Sequence, residues 1–368
     1  MHGAFFLLSA VLVLSSLAAD HWPELRGPHR NGHAVDARLP LSWSETNQIV
    51  WKTAIHDLGW SSPVVWGRQI WLTTATLNGR EMYAMCVDAE TGIVVWDIKV
   101  FDTPEPEHIS SLNSYASPTS AIEPGRVYVH YGMYGTACLD TASGEILWSR
   151  RDLKCDHHEG PGASLTLDRD LLYIPVDGRD VQYVTALDKA TGRTVWKTNR
   201  SIDYSQFTSN CRKAFCTPIP IEAGGRRQLF SPGAKAMIAY DPDTGAELWK
   251  ARYDGWSMVP RPLYGHGLLY VVTDYERPQL WAVRPDGQGD VTDTHVVWKV
   301  VKDMPSTASL LLIDDLLYMV NDQGFALCIE AKSGNVVWRE RIGGKHSASP
   351  IYTPGRIYFF SERNRATV

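Results

Sequence analysis

The sharpest cluster of reactive side chains in the chain is Cys155-Asp156-His157-His158. A thiol and two imidazoles this close together are soft-metal ligands, and Cys211 or His346 could complete a set. The spacing matches no zinc motif, so the cluster reads as a loop held by ordinary hydrogen bonds, and no metal site is assigned. Cys86, Cys138 and Cys328 recur at one repeat position that Ala186, Ala239 and Ala282 fill elsewhere, which marks a small core slot. In an oxidising compartment Cys211 and Cys216 are the nearest pair in sequence for a disulfide. A wider set of aromatic, amide and cationic residues lies between the expected strands: His56, Trp60, Asn113, Tyr115, His157, His158, Arg212, Lys213, Trp256, Arg261 and His346. Such a mixture suits a ligand or peptide surface. From it, Trp60, Asn113, Tyr115, His157, His158, Arg261 and His346 are taken as candidate ligand-binding residues. No catalytic residue is assigned, because no nucleophile–base pair, glycine-rich phosphate loop or paired-carboxylate site emerges.

The elements that must position these residues are repeats. One pattern recurs: Asp, two variable residues, Thr or Ser, Gly, three residues, Trp. It reads Asp88-Ala-Glu-Thr-Gly92 to Trp96, and returns at Asp140 to Trp148, Asp188 to Trp196 and Asp241 to Trp249. Glu330 to Trp338 keeps the spacing with Glu for Asp, and Arg284 to Gly289, before Trp298, is a looser copy. The intervals between these Trp residues are 52, 48, 53, 49 and 40. The carboxylate can cap the amides of a turn, the hydroxyl adds a second bond, and Gly takes the positive φ that closes a hairpin. A Trp fixed on each following strand can lie flat on the neighbouring repeat.

A short strand with a central aromatic precedes each motif, as in Leu171-Leu-Tyr173-Ile, and before it comes a strand often opened by a small residue and Pro, as in Ser61-Ser62-Pro63. Four short strands at a period of 40–50, without helical periodicity, predict an all-β propeller of four-stranded blades. Blades are expected at 61–100, 116–153, 164–200, 216–253, 259–301 and 306–342, within a propeller region over 51–368. A seventh opens at Ser347 and stops early. Gln48-Ile-Val-Trp51-Lys resembles a blade's outer strand and could complete it. The expectation is a C-terminally incomplete propeller with eight, or seven, blades in the intact protein.

Residues 1–19 read as a signal peptide, with an apolar run from Phe5 to Ala19 too short to span a bilayer comfortably. Residues 20–50 form an N-terminal arm. No other stretch is apolar enough to cross a membrane, so a periplasmic or secreted protein is expected. A net charge of -5, from 36 Lys+Arg against 41 Asp+Glu, gives no basic field for nucleic acid.

The Asp-x-x-Thr-Gly-x-x-x-Trp hairpins resemble the PQQ-like propeller repeat family, which includes quinoprotein dehydrogenases and BamB-type envelope lipoproteins. The opening Trp22-Pro-Glu-Leu-Arg26-Gly-Pro28 looks like the start of secreted PQQ-like propeller proteins of planctomycetes and related bacteria. The resemblance covers residues 22–368. It implies the propeller fold and leaves function open, since the fold hosts enzymes and scaffolds alike. The family's alcohol dehydrogenases carry adjacent, disulfide-linked cysteines against the quinone and a Ca²⁺ site of carboxylates and amides. This sequence has no Cys-Cys pair and no compact acidic cluster of that kind. The expectation is therefore an exported, non-catalytic binding or assembly scaffold without a cofactor, offering loops and blade edges to a protein or carbohydrate partner. A PQQ-dependent quinoprotein dehydrogenase is the alternative.

Overall fold

A computed structural model describes residues 21–363 and 365–368. The expected signal peptide lies outside them. Seven sheets follow one another along the described chain, antiparallel apart from one strand added to the fourth. The third is typical, with strands Thr166–Asp168, Leu171–Asp177, Gln182–Asp188 and Thr194–Asn199 in sequential order. The seventh has three strands, Ile351–Thr353, Arg356–Phe360 and Ala366–Thr367. The two middle strands of each full sheet are the most deeply buried, because neighbouring sheets cover both of their faces. In the third sheet Leu172, Ile174, Val184 and Leu187 are fully enclosed.

The repeated hairpin is built as its residue types dictate. The Asp88 carboxylate accepts the amides of Glu90 and Thr91 at 3.1 and 2.9 Å and the Thr91 hydroxyl at 2.8 Å. Asp188 and Asp241 do the same with Thr191 and Thr244. Gly192 closes its hairpin at φ +71, and a Cβ there would come within 2.6 Å of the Trp148 ring. Trp148 thus lies on the hairpin of the next sheet, and its Nε1 donates to the Lys189 carbonyl at 3.0 Å. Trp196 and Trp298 make the same bond to Pro242 and Ala331.

The small-residue slot faces these tryptophans. Cys86, Cys138, Ala186, Ala239, Ala282 and Cys328 sit directly across the strand pair from Trp96, Trp148, Trp196, Trp249, Trp298 and Trp338. Each pairing slips register at the next residue. A larger side chain in the slot would push the indole off its hairpin.

Two expectations about strands are corrected. Residues 48–52 form no strand and do not complete the last sheet. Trp51 nonetheless covers Gly92 and donates to the Ala89 carbonyl at 2.9 Å, as a preceding blade's Trp does. The loose motif is not a hairpin of the usual kind, since Gly289–Asp290 pairs in parallel with Trp249 and Lys250 as a fifth strand on the fourth sheet.

The residues two places before Val64, Ala121, Thr166, Ile219, Leu263, Leu311 and Ile351 mark a ring of positions that backbone amides join in two runs. Ser62 donates its amide to the Thr119 hydroxyl, Thr119 to Ser164, Ser164 to Thr217, Arg261 to Ser309, and Ser309 to Ser349, all at 2.9–3.0 Å. Arg261 alone among these seven lacks a hydroxyl.

The arm's first part fills the centre of this ring. His21–Trp22 adds a strand to the inner edge of the first sheet, pairing with Trp66 and Val65. Pro23 accepts the Ile122 amide of the second sheet at 2.8 Å. Arg30 donates to the Leu167 carbonyl of the third, and Arg26 to the Leu310 and Pro350 carbonyls of the sixth and seventh. Arg261 reaches in from the fifth, and binds the Pro218 carbonyl of the fourth as well. Residues 21–34 therefore touch the inner strands or lead-in residues of most sheets, directly or through Arg261.

Candidate functional site

Because successive strands reverse direction, the lead-in loops and the turns between second and third strands share one face. The Asp-x-x-Thr-Gly hairpins lie on the other. The seven candidate residues all belong to lead-in segments on the first face, and the structure gives them different surroundings.

Arg261 is the clearest correction. It is buried, and its guanidinium meets the Glu24 carboxylate at 2.9 Å, the Thr166 hydroxyl at 3.0 Å and the Pro218 carbonyl at 3.1 Å. Glu24 also binds Arg30 at 2.7 Å, so one carboxylate serves two guanidinium groups. Arg26 beside them is buried against carbonyls alone, and burial together with the nearby Arg261 charge lowers its pKa to about 9. These groups hold the arm and present no open ligand surface.

Asn113 and Tyr115 brace loops. The Asn113 amide donates to the Glu159 and Pro161 carbonyls at 2.8 and 3.0 Å, and its oxygen accepts the Ser114 amide. The Tyr115 ring is buried under Gly79, and its hydroxyl donates to the Glu107 carbonyl at 2.7 Å. His157 lies over Gly132, and its Nε2 accepts the Met133 amide at 3.1 Å. Burial lowers its pKa to about 4, which keeps it a neutral acceptor. Cys155 Sγ lies 3.4–3.5 Å from both ring nitrogens, and burial pushes the thiol well up, away from the thiolate a metal needs. His346 is buried, its Nδ1 has no partner, and burial lowers its pKa. Among the described residues no group of three or more His, Cys, Asp or Glu could hold a metal ion.

Trp60 and His158 are the accessible members. Trp60 is 56% exposed, while its backbone amide is pinned to the Ala116 carbonyl at 3.1 Å. His158 takes φ +60 and turns outward beside Glu159. Sequence reasoning missed two further apolar residues on this face, Leu77 and Leu112, each 77% exposed. Leu77 sits in the turn that Gly79 packs on Tyr115, and Leu112 in the segment that Tyr115 and Asn113 brace. Trp60, Leu77 and Leu112 thus project from one group of mutually anchored loops on the first two sheets.

The same face carries an electrostatic cluster near the axis. Lys213 is buried, with its ammonium 3.4 Å from Glu159 and 5.1 Å from the centre of the Trp256 ring. Burial, and after it the charges of Asp322, Glu159 and Glu362, raise the Tyr275 phenol. A cleft of about 810 Å³ runs between the fourth and fifth sheets, past Trp256, Trp281 and Lys299.

The cysteine pair that the resemblance implies for a quinone site has no counterpart here. No two cysteines are adjacent, and all six stand as free thiols. Cys216 lies 3.2 Å from the Pro260 carbonyl while Cys211 accepts from Thr208, so the nearest pair in sequence is separately engaged. The axis at the level of the ring is filled by Glu24 and Arg26.

The model of the family described as outer membrane protein assembly factor BamB matches residues 37–151, 61–198, 180–312 and 288–368. No curated protein sequence matches the chain. Among solved structures, BamB from Moraxella catarrhalis is similar at 16% identity and TM-score 0.59, over 84% of this chain and 82% of that one. A quinohemoprotein alcohol dehydrogenase from Pseudomonas putida is similar at 14% identity and TM-score 0.56, over 81% of this chain and 62% of that one. At these identities the likeness is one of fold. Matched by the repeat model along nearly all of its described length, and built of radially successive sheets joined by docked tryptophans, the chain belongs to the BamB family of PQQ-like repeat β-propellers.

Proposed function

We propose that this protein is an exported, non-catalytic scaffold that binds a protein partner in the cell envelope through its lead-in loop face. The observation that carries the reading is the exposure of Trp60, Leu77 and Leu112, large apolar groups held in water by braced loops of the first two sheets. Exposed anchors on a rigid support lose little entropy on binding and suit a protein interface. His158 stands at the edge of the same surface. The filled axis and the absence of adjacent cysteines weigh against the quinoprotein alternative, and the apolar, braced loops favour a protein over a carbohydrate.

Mild extraction of the native envelope followed by affinity capture tests the reading. A stoichiometric partner that is lost with Trp60→Ala and Leu112→Ala supports it. A partner retained by both variants, or none at all, contradicts it. For the alternative, dye-linked alcohol oxidation is measured after adding PQQ with Ca²⁺, and turnover would establish the enzyme.

A further inference from the structure

The outer strand of each sheet is a free edge unless something pairs with it, and an edge with unpaired amides and carbonyls is a template for another strand. This molecule shows how its own edges are read. On the fourth sheet, Glu247–Arg252 is joined by Gly289–Asp290 in parallel, with Trp249 opposite Gly289 and Lys250 opposite Asp290. The Val291 amide donates to the Lys250 carbonyl at 2.8 Å, and the Arg252 amide donates to the Thr292 hydroxyl at 2.9 Å. The Arg252 guanidinium donates to the Asp290 carboxylate at 2.8 Å, and the Val291 side chain is buried. The recognition code is an acid, a branched aliphatic and a hydroxyl, laid parallel to a Trp-x-x-Arg edge.

The sixth sheet repeats the edge without the cover. Its outer strand Val336–Arg341 carries Trp338 and Arg341 at the spacing of Trp249 and Arg252. Val336, Val337 and Arg341 are exposed on it. The other outer strands do not offer the same cation. Lys99 is paired with Glu81 and Asp102, Arg151 is bonded to the Tyr134 and Asp102 carbonyls, and Asn199 and Val301 hold the position elsewhere. Arg341 makes no ion pair among the described residues, and its guanidinium stands 5.7 Å from the Phe325 ring.

We propose that Val336–Arg341 is a strand-addition site for an extended peptide segment of acid–aliphatic–hydroxyl character, docked in parallel with its carboxylate on Arg341. Backbone bonds to the open edge supply affinity, and the Arg341 pair sets register.

The test uses the full chain and a fluorescein-labelled peptide of the chain's own covering segment, residues 287–293, extended by a photoreactive group. Saturable binding is expected, with cross-links mapping to 336–341. Arg341→Glu weakens it ~10-fold or more, as does Asp→Lys in the peptide, because a charge-assisted bond is replaced by repulsion. Trp60→Ala leaves it unchanged, which separates this site from the loop face. Absence of binding, equal binding by Arg341→Glu, or cross-links confined to 247–252 overturns the proposal. So does sedimentation as a dimer that Arg341→Glu dissociates, since the occupant is then a second copy.

Discussion

At the scale of the residue, the centre of the molecule depends on one carboxylate. Glu24 compensates Arg30 and Arg261 within 3 Å, and Arg26 is buried nearby with carbonyl partners only. Glu24→Gln leaves buried guanidinium groups without a counter-charge, and a loss of about 3 kcal/mol in unfolding free energy is expected from urea denaturation. A change within 0.5 kcal/mol of wild type, the range of ordinary surface substitutions, would mean that the arm does not hold the axis. His157 gives a second prediction. Its pKa falls from 6.5 to about 4 on folding, so between those values the unfolded chain binds a proton that the folded chain refuses. Stability is therefore fully present above about 6.5 and declines as pH drops toward 4. His157→Gln keeps an acceptor for the Met133 amide and removes the proton, so denaturation midpoints of the variant should depend less on pH in that window. An unchanged slope would place the acid sensitivity elsewhere.

At the scale of the element, the hairpin and the tryptophan that lies on it are one unit. Most of this was legible in the sequence, because the chemistry is local: Asp, Thr and Gly satisfy a turn within five residues, and Trp follows at a fixed distance. Three members of the ring, Ser62, Thr217 and Ser349, were also visible in the sequence as the small residue before Pro at the inner strand. The ring's function was not legible, because the hydroxyls of Thr119, Ser164, Thr217, Ser309 and Ser349 each serve an amide in the preceding sheet, some 40 to 57 residues away. Arg261 occupies that ring position, which is why its cationic character pointed to a ligand when its partner was the arm. Two glycines test the hairpin account. Gly125 and Gly192 both have positive φ, but a Cβ on Gly125 meets nothing within 4 Å, whereas one on Gly192 strikes the Trp148 ring. Gly125→Ala should cost ~1–2 kcal/mol from backbone strain alone. Gly192→Ala should cost clearly more in the same denaturation assay, because it also displaces the indole. Equal losses would show that the Trp148 contact contributes little.

At the scale of the whole molecule, the N-terminal segment changes what the propeller can do. A propeller without it offers a channel along its axis; here residues 21–34 occupy that axis and tie together inner strands far apart in sequence. Repeat periodicity cannot disclose such a segment, which is short, aperiodic and bonded to partners as far as 324 residues away. The exposed Leu77 and Leu112 escaped sequence reasoning for a related reason: a lone leucine in a loop looks like any other until burial shows that its neighbours are packed and it is not. The proposed partner surface is the loop face, with Trp60, Leu77 and Leu112 exposed over braced backbones. Site-specific photo-cross-linking in the native envelope tests this most directly. A photoreactive residue is placed at Trp60 on the loop face and, separately, at Asp170 in a turn of the opposite face. The account predicts a protein adduct of defined mass from position 60 and none from position 170. An adduct from position 170 alone, or from neither, would contradict it.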